Sequence, residues 1–346
     1  GLSVIAIHLN YPLVIILVMT LFLPFFIETG VVSIYEYQEK RFGKTSRITI
    51  SIIFLVTQLL SSAAILVASS FVIAYITSVS VLSSIIIVSF ITLIYTLLGG
   101  ITAVIWTDVL QSGVFLIGGV IVLVALILEI PEPMNEVFTL LKDKGKINPI
   151  DTSFDFTKDT TVWAGVFAMT IYHVTVYGAN QMMMQRTLGA KNMGDAKKSL
   201  ALMGFGAFFI YFIFIVIGVL FYYYYDGRSF ENNNYIMLEF AKENAFPGFI
   251  GLIAAAVLAA SMSSLSSALN SFSTISTEGF YQKYYRPNET PEHYLKVARL
   301  STIFWAMLII IPAFIFAGDT ESVLKLLTKI GSYFVGAKLA MFGLGF

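Results

Sequence analysis

The 346-residue chain has no cysteine, only three histidines and few charges, with 12% of its residues Asp, Glu, Lys or Arg. Without cysteine there is no disulfide and no thiolate metal site, and nothing is said about compartment. The histidines (His8, His173, His293) fall on separate apolar segments, and no HExxH or GxSxG pattern occurs, so we expect no enzyme and no catalytic residue. The GxxxxGK[ST] loop is also missing, which leaves ATP drive within this chain unsupported. Lys and Arg (21) balance Asp and Glu (21), so nucleic acid is not an expected partner. No charged head, short apolar core and cleavage site mark a signal peptide. A soluble domain needs roughly a quarter of its residues charged to cover its surface. This chain has about half that, so most of its outside must face lipid.

What is abundant agrees. Hydrophobic residues make up 57%, and the mean hydropathy is +0.83. About 20 apolar residues of helix cross a bilayer core roughly 30 Å thick. Nine segments qualify: 4–27, 48–78, 81–98, 102–129, 161–183, 198–224, 247–277, 293–317 and 322–346. Barrel strands alternate over about ten residues, and these runs do not, so the fold class is an all-α polytopic membrane protein. The chain opens at Gly1 almost inside one apolar run and stops at Phe346 inside another, so we expect an excerpt of a longer protein.

Nine alternating crossings put three basic clusters on one side, which is then cytoplasmic. They are Lys40, Arg41, Lys44 and Arg47; Arg186, Lys191, Lys197 and Lys198; and Lys283, Arg286, Lys296 and Arg299. A Gly99–Gly100 turn falls on that side, and the loops 130–160 and 225–246 and a Gly318-Asp319-Thr320 turn on the other. Residues 135–142 have the makings of a short surface helix.

The most informative stretch is Ala254–Glu278, AAAVLAASMSSLSSALNSFSTISTE. Ser263, Ser266 and Ser267 share a helix face at i, i+3 and i+4, with Ser264 beside them. Serine and alanine are common at membrane helix contacts, and serine bonds back to its own helix. Four hydroxyls within five residues point instead to a hard cation such as sodium, which prefers oxygen; freed carbonyls near the midplane are how carriers build such sites. Asp108 stands about 12 Å beyond the Gly-Gly turn at roughly 1.5 Å per residue, as an interfacial acid or as one facing a partner. A carboxylate within the apolar slab costs at least about 2.5–3.5 kcal/mol. His173 and Tyr177 share a face, although a lone membrane histidine is more often a packing residue. Lys338 lies deep in the last segment; snorkelling to the interface is its ordinary reading, and a counter-charge for an anionic solute is the alternative.

At GGITAVIWTDVLQ (99–111), NQMMMQRTLGAK (180–191) and AASMSSLSSALNS (259–271), and more weakly at LPFFIETG (23–30) and YEYQEKRFGK (35–44), the sequence resembles the sodium/solute symporter family. That family includes the sodium–glucose, sodium–galactose and sodium–sialic acid cotransporters. The resemblance implies a LeuT-like inverted repeat of five plus five helices, of which this chain holds core helices two to ten and lacks the first. Residues 1–129 would be the first repeat without its first helix, 130–160 an extracellular loop, and 161–346 the second repeat, all one transmembrane transporter domain.

By the same resemblance, the main sodium site uses the Ala260 carbonyl and the hydroxyls of Ser263 and Ser264. A second uses Asp108, Ser263, Ser266 and Ser267, giving one or two Na+ and no organic cofactor. Solute contacts fall near His8, Tyr11, His173, Tyr177 and Thr328. The sugar carriers' lysine in core helix seven is replaced by Ala207, and the sialic acid carrier's arginine is absent from VTQLLSSAAILVASS (56–70), so the solute stays open.

The expected function is sodium-coupled symport of a small polar solute (a sugar, a sialic acid-like compound or an organic acid) by alternating access in the plasma or bacterial inner membrane. A transporter-like sensor module and a proton-coupled carrier using Asp108 are the alternatives.

Overall fold

A computed structural model describes the chain except residues 31–32, 149–150, 156, 159–160, 231–232, 245–247, 319–322 and 344–346, and except the side chains of 99–103, 324, 325 and 328. The expected outer turn at Asp319–Thr320 and the side chain of Thr328 therefore lie outside the described residues. Helix dominates, as lipid demands: with no water to satisfy backbone amides, each segment must close its own hydrogen bonds. Among the described residues no strand forms, and one isolated bridge pairs Asp151 with Thr161.

The elements in order are α1 (Leu2–Glu28), α2 (Ile34–Phe42), α3 (Lys44–Thr77), α4 (Val81–Glu129), α5 (Met134–Asp143), α6 (Thr170–Gly178), α7 (Gln181–Leu188), α8 (Met193–Tyr224), α9 (Ile236–Glu243), α10 (Phe249–Thr274), α11 (Pro291–Phe316) and α12 (Val323–Gly343). Wider π-type turns precede α6 (Ala164–Met169) and continue α10 (Ile275–Tyr285). The surface helix expected near 135–142 is α5, which buries Val137 and Leu141.

Seven helices among the described residues are long and apolar enough to cross a membrane: Leu2–Glu28, Lys44–Thr77, Val81–Leu98, Val104–Glu129, Met193–Tyr224, Phe249–Tyr285 and Pro291–Phe316. They match seven of the nine expected segments. The expected span 161–183 is shorter than its apolar run: helix breaks after Gly178, and Asn180 caps α7 by accepting from the Met182 amide at 3.0 Å. The stretch Ala164–Gly178 rises only about 22 Å at 1.5 Å per residue. The last segment, α12, keeps 21 helical residues, with Lys325, Lys329 and Lys338 lowering its hydropathy.

Contacts divide the chain into two units. The first comprises residues 1–50, 119–229 and 332–346. Here α1 is composite: a 3-10 turn (Leu2–His8), then α-helix from Tyr11, with a π turn at Val18–Phe22. The break at Leu9–Asn10 exposes no side-chain cap, although Asn10 holds the N-cap position. Gly165 lets the turn at Ala164–Met169 touch the backbone carbonyl of Ala6, and Gly204 of α8 lets Ile15 of α1 seat against it. Buried Gln181 accepts from the Ser33 hydroxyl (3.1 Å) and the Ile34 amide (3.2 Å), which starts α2. The Gln38 amide donates to the Met341 carbonyl at 2.8 Å, and Phe26 meets Phe342 edge-on. Lys338 lies one turn before those contacts on the same face of α12, and is 8% exposed. It is packed within the protein and does not extend to the surface as its ordinary reading expects.

The second unit comprises residues 51–118 and 230–331. Its core joins Leu66, Phe71 and Ile85 of α3 and α4 to Leu269 and Phe272 of α10 and Ile309 of α11. Phe272 stacks on Trp305 at 4.6 Å, and the Trp305 indole donates to the Ser276 hydroxyl at 2.8 Å.

Helical hydrogen bonding runs unbroken through α4, 49 residues including the expected Gly99–Gly100 turn, but the axis does not run straight. Asp108 pairs with Ser267 and Gly118 abuts Ala256, so this half of α4 runs antiparallel to α10. Continued straight, it would bring residue 95 beside residue 280, yet Tyr95 bonds to the Met262 carbonyl. The axis therefore bends between residues 95 and 108, the interval that holds the two glycines. Glycine has no Cβ to resist such a bend.

Candidate functional site

In the second unit, α10 and the far half of α4 form a polar patch inside apolar surroundings. Serines on a helix return their protons to the preceding turn, and here they do. Ser264 donates to the Ala260 carbonyl at 3.2 Å, Ser267 to the Ser263 carbonyl at 2.8 Å, and Ser266 to the same carbonyl at 3.1 Å. A hydroxyl that has given away its proton still offers lone pairs. Back-bonding therefore fixes where these oxygens point without consuming them as ligands for a cation.

Asp108 comes to this face from 159 residues away in the chain. Its Oδ2 lies 3.3 Å from the Ser267 hydroxyl. The carboxylate is 9% exposed, Ser266 is fully buried and Ser267 nearly so. Asp108 is thus a partnered acid inside the protein and not an interfacial one. Ser263 and Ser264 are half-buried. The cluster also recruits Tyr95, whose hydroxyl donates to the Met262 carbonyl at 2.7 Å, with Ser266 and Gln111 nearby. Sequence reasoning missed both residues. Gln111 stands one turn after Asp108 on the same face, and that i, i+3 spacing was the available signal.

The first unit gathers a different set. The break in α1 brings His8, Asn10 and Tyr11 against His173 and Tyr177 of α6 and Tyr211 of α8. His8 stacks on Tyr211 at 4.0 Å, and Tyr11 on His173 at 4.7 Å. Tyr177 meets Tyr11 edge-on at 5.9 Å. His173 Nδ1 lies 3.1 Å from Asn10 Oδ1. Four expected solute residues, His8, Tyr11, His173 and Tyr177, are thus one buried aromatic box; the structure adds the buried Asn10 and, on its open side, Tyr211, which is 43% exposed. Tyr211 interrupts the apolar run GFGAFFIYFIF with a hydroxyl, a signal that the sequence carried. Thr328 belongs to α12, and its side chain is not among those described.

A chain of long apolar helices, broken at a buried polar box and carrying a buried carboxylate on a serine face, is a multi-pass integral membrane protein with the parts of a solute carrier. The family model for the sodium:solute symporter family matches residues 1–346, and the chain belongs to that family, whose members are transporters and not enzymes. It is 27% identical over 288 residues to sodium-coupled monocarboxylate transporter 2 of Danio rerio, covering 81% of this chain and 46% of that one. It is 29% identical over 314 residues to the sodium/sialic acid symporter NanT of Aliivibrio fischeri, covering 88% and 61%. It is 28% identical to the human sodium/iodide cotransporter, covering 76% and 42%. Among solved structures, a substrate-bound, outward-open Na+-coupled sialic acid symporter superposes with a TM-score of 0.87 at 25% identity, over 99% of this chain and 72% of that one. The chain spans about half the length of the curated relatives it matches.

Proposed function

We propose that this chain is the transport module of a sodium-coupled symporter that carries a small polar organic solute (a sugar, a sialic acid-like compound or an organic acid) by alternating access across the plasma or bacterial inner membrane. The observation that carries the reading is the buried Asp108 carboxylate held against the back-bonded serine face of α10. In this reading the main sodium ion takes the Ala260 carbonyl and the hydroxyls of Ser263 and Ser264. Ser264 Oγ and the Ala260 oxygen stand 3.2 Å apart. Two oxygens each about 2.3–2.6 Å from a hard cation are separated by about that much, so one ion touches both without moving the helix.

A second ion takes Asp108 with Ser263, Ser266 and Ser267; back-bonding already orients the hydroxyls of Ser266 and Ser267. The acid makes that site the stronger attractor, and the neutral oxygens make the first one easier to leave. Sodium entry down its gradient gains about 2.3 kcal/mol per charge per 100 mV of membrane potential. The solute takes the box of His8, Tyr11, His173 and Tyr177.

The test is solute uptake by the full-length protein in proteoliposomes, with an imposed sodium gradient and with an imposed proton gradient in sodium-free buffer. Sodium-driven accumulation that falls at least about tenfold in Ser264→Ala is expected, the loss of one cation ligand being worth about 1.4 kcal/mol or more. Accumulation driven equally well by protons without sodium would replace this reading with proton coupling.

A further inference from the structure

In the second unit, α11 carries two cations where its length puts them at the edge of the bilayer. It runs 26 residues, Pro291–Phe316, or about 39 Å at roughly 1.5 Å per residue. A hydrocarbon core of about 30 Å takes about 20 of them. Counted back from Phe316, the core ends near Lys296, and Arg299 falls about one turn inside it.

One side of α11 faces the protein. Thr302, Ala306, Ile309 and Ala313 are buried, and the Ser273 hydroxyl of α10 donates to the Ala298 carbonyl at 2.8 Å. The opposite side is apolar and open, with Leu300, Phe304, Met307, Ile311 and Ile315 each more than half exposed. Lys296 stands one turn before Leu300 at i, i+4 and so begins that stripe, while Arg299 flanks it. Both cations are exposed.

The protein supplies no counter-charge for them. Arg286 takes Glu289 at 3.4 Å, and among the described residues no ion pair includes Lys296 or Arg299. An arginine one turn inside the slab is costly unless its head reaches the interface or an anion. Helical side chains lean toward the helix N-terminus, which at this end of α11 is toward the bilayer surface. Both heads are thereby carried to the level of the lipid phosphates, directly above the apolar stripe. Two cations without a carboxylate favour a headgroup of net negative charge over a zwitterionic one. The other basic helix start differs. On α8 (Met193–Tyr224) the same count ends the core near Gly204, so Lys197 and Lys198 lie about 9 Å or more outside it, and Lys198 has Asp195 at 3.8 Å.

We infer that the basic end of α11 binds an anionic phospholipid, whose phosphate is received by Lys296 and Arg299 and whose acyl chains lie along Leu300, Phe304, Met307 and Ile311. The inference rests on α11 spanning a bilayer and is independent of sodium and of the solute.

The experiment is a thermal-shift series on the full-length protein in detergent, with added phosphatidylglycerol, phosphatidylcholine or soluble glycerol 3-phosphate. Phosphatidylglycerol should raise Tm by about 2 °C or more, and the other two should not. The double variant Lys296→Gln, Arg299→Gln should lose about half of that rise or more. The double variant Lys197→Gln, Lys198→Gln should keep it. All four side chains are exposed, so both variants should fold.

An equal rise with phosphatidylcholine would mean that the stripe takes lipid without regard to charge, and an equal rise with glycerol 3-phosphate that the cations take free phosphate. An undiminished rise in the Lys296, Arg299 variant would put the headgroup elsewhere, and no rise with either lipid would mean that other protein covers this face. Each of these results overturns the inference and leaves the symport reading untouched.

Discussion

Removing the Asp108 carboxylate should delete one sodium ion and leave the other. In the structure Oδ2 sits 3.3 Å from Ser267 Oγ, so an ion touching both oxygens lies within about 4 Å of the carboxylate charge. At an effective dielectric of about 20, that separation is worth about 4 kcal/mol, close to three powers of ten in affinity. A loss of that size empties the site at any working sodium concentration. The fold should tolerate the change, because the Ser267 hydroxyl keeps its bond to the Ser263 carbonyl at 2.8 Å, and a buried charge is removed along with its partner. The assay is sodium-dependent solute uptake by Asp108→Ala and wild type in proteoliposomes. The Hill coefficient for sodium should fall from near two to near one, with transport persisting at a lower rate. A coefficient near one in both proteins, with the same half-saturating sodium, would refute the second site and the role given to Asp108.

Two further outcomes follow from packing and from charge. Gly165→Ala sets a methyl against the backbone carbonyl of Ala6, which cannot rotate away; overpacking of this kind costs about 1–3 kcal/mol, so Tm should drop by several degrees, and an unchanged Tm would mean α1 and the turn before α6 are less tightly apposed. In the loop, hydrogen bonds from the Ser153 side chain, then Lys158, then the Ser153 amide hold the Asp151 carboxyl well below its ordinary range. A depressed folded pKa contributes stability above the unfolded value near 3.9, lost only as pH falls through the lower folded value. Hydrogen exchange around 151–161 should therefore be equally protected at pH 7 and pH 4.5, and loss of protection by pH 4.5 would show that the Asp151–Lys158 pair does not hold the loop.

The two clusters were legible to different degrees. The serine run on α10 can be read directly, because its members lie within five residues and helix periodicity alone puts three on one face. That Asp108 faces them could be stated only through family resemblance, since nothing in the local sequence distinguishes an interfacial acid from a buried one. The aromatic box was read in part. His8, Tyr11, His173 and Tyr177 came from the resemblance, while nothing in the sequence sets Asn10 apart from an ordinary helix cap. Its side chain left that role for His173, 163 residues away.

Apolar run length and charge scarcity by themselves determined that this chain is helical and lives in lipid, since backbone hydrogen bonding within the bilayer is a local requirement that each segment meets alone. They also determined where most of the spans run. Only the tertiary structure decided that helix bonding continues through Gly99 and Gly100 while the axis bends, that the span after residue 160 stops at Gly178, and that Lys338 is packed inside. Those outcomes depend on which distant surfaces meet, as Tyr95 meets the Met262 carbonyl and Gln38 the Met341 carbonyl, and a one-dimensional pattern carries no record of such meetings.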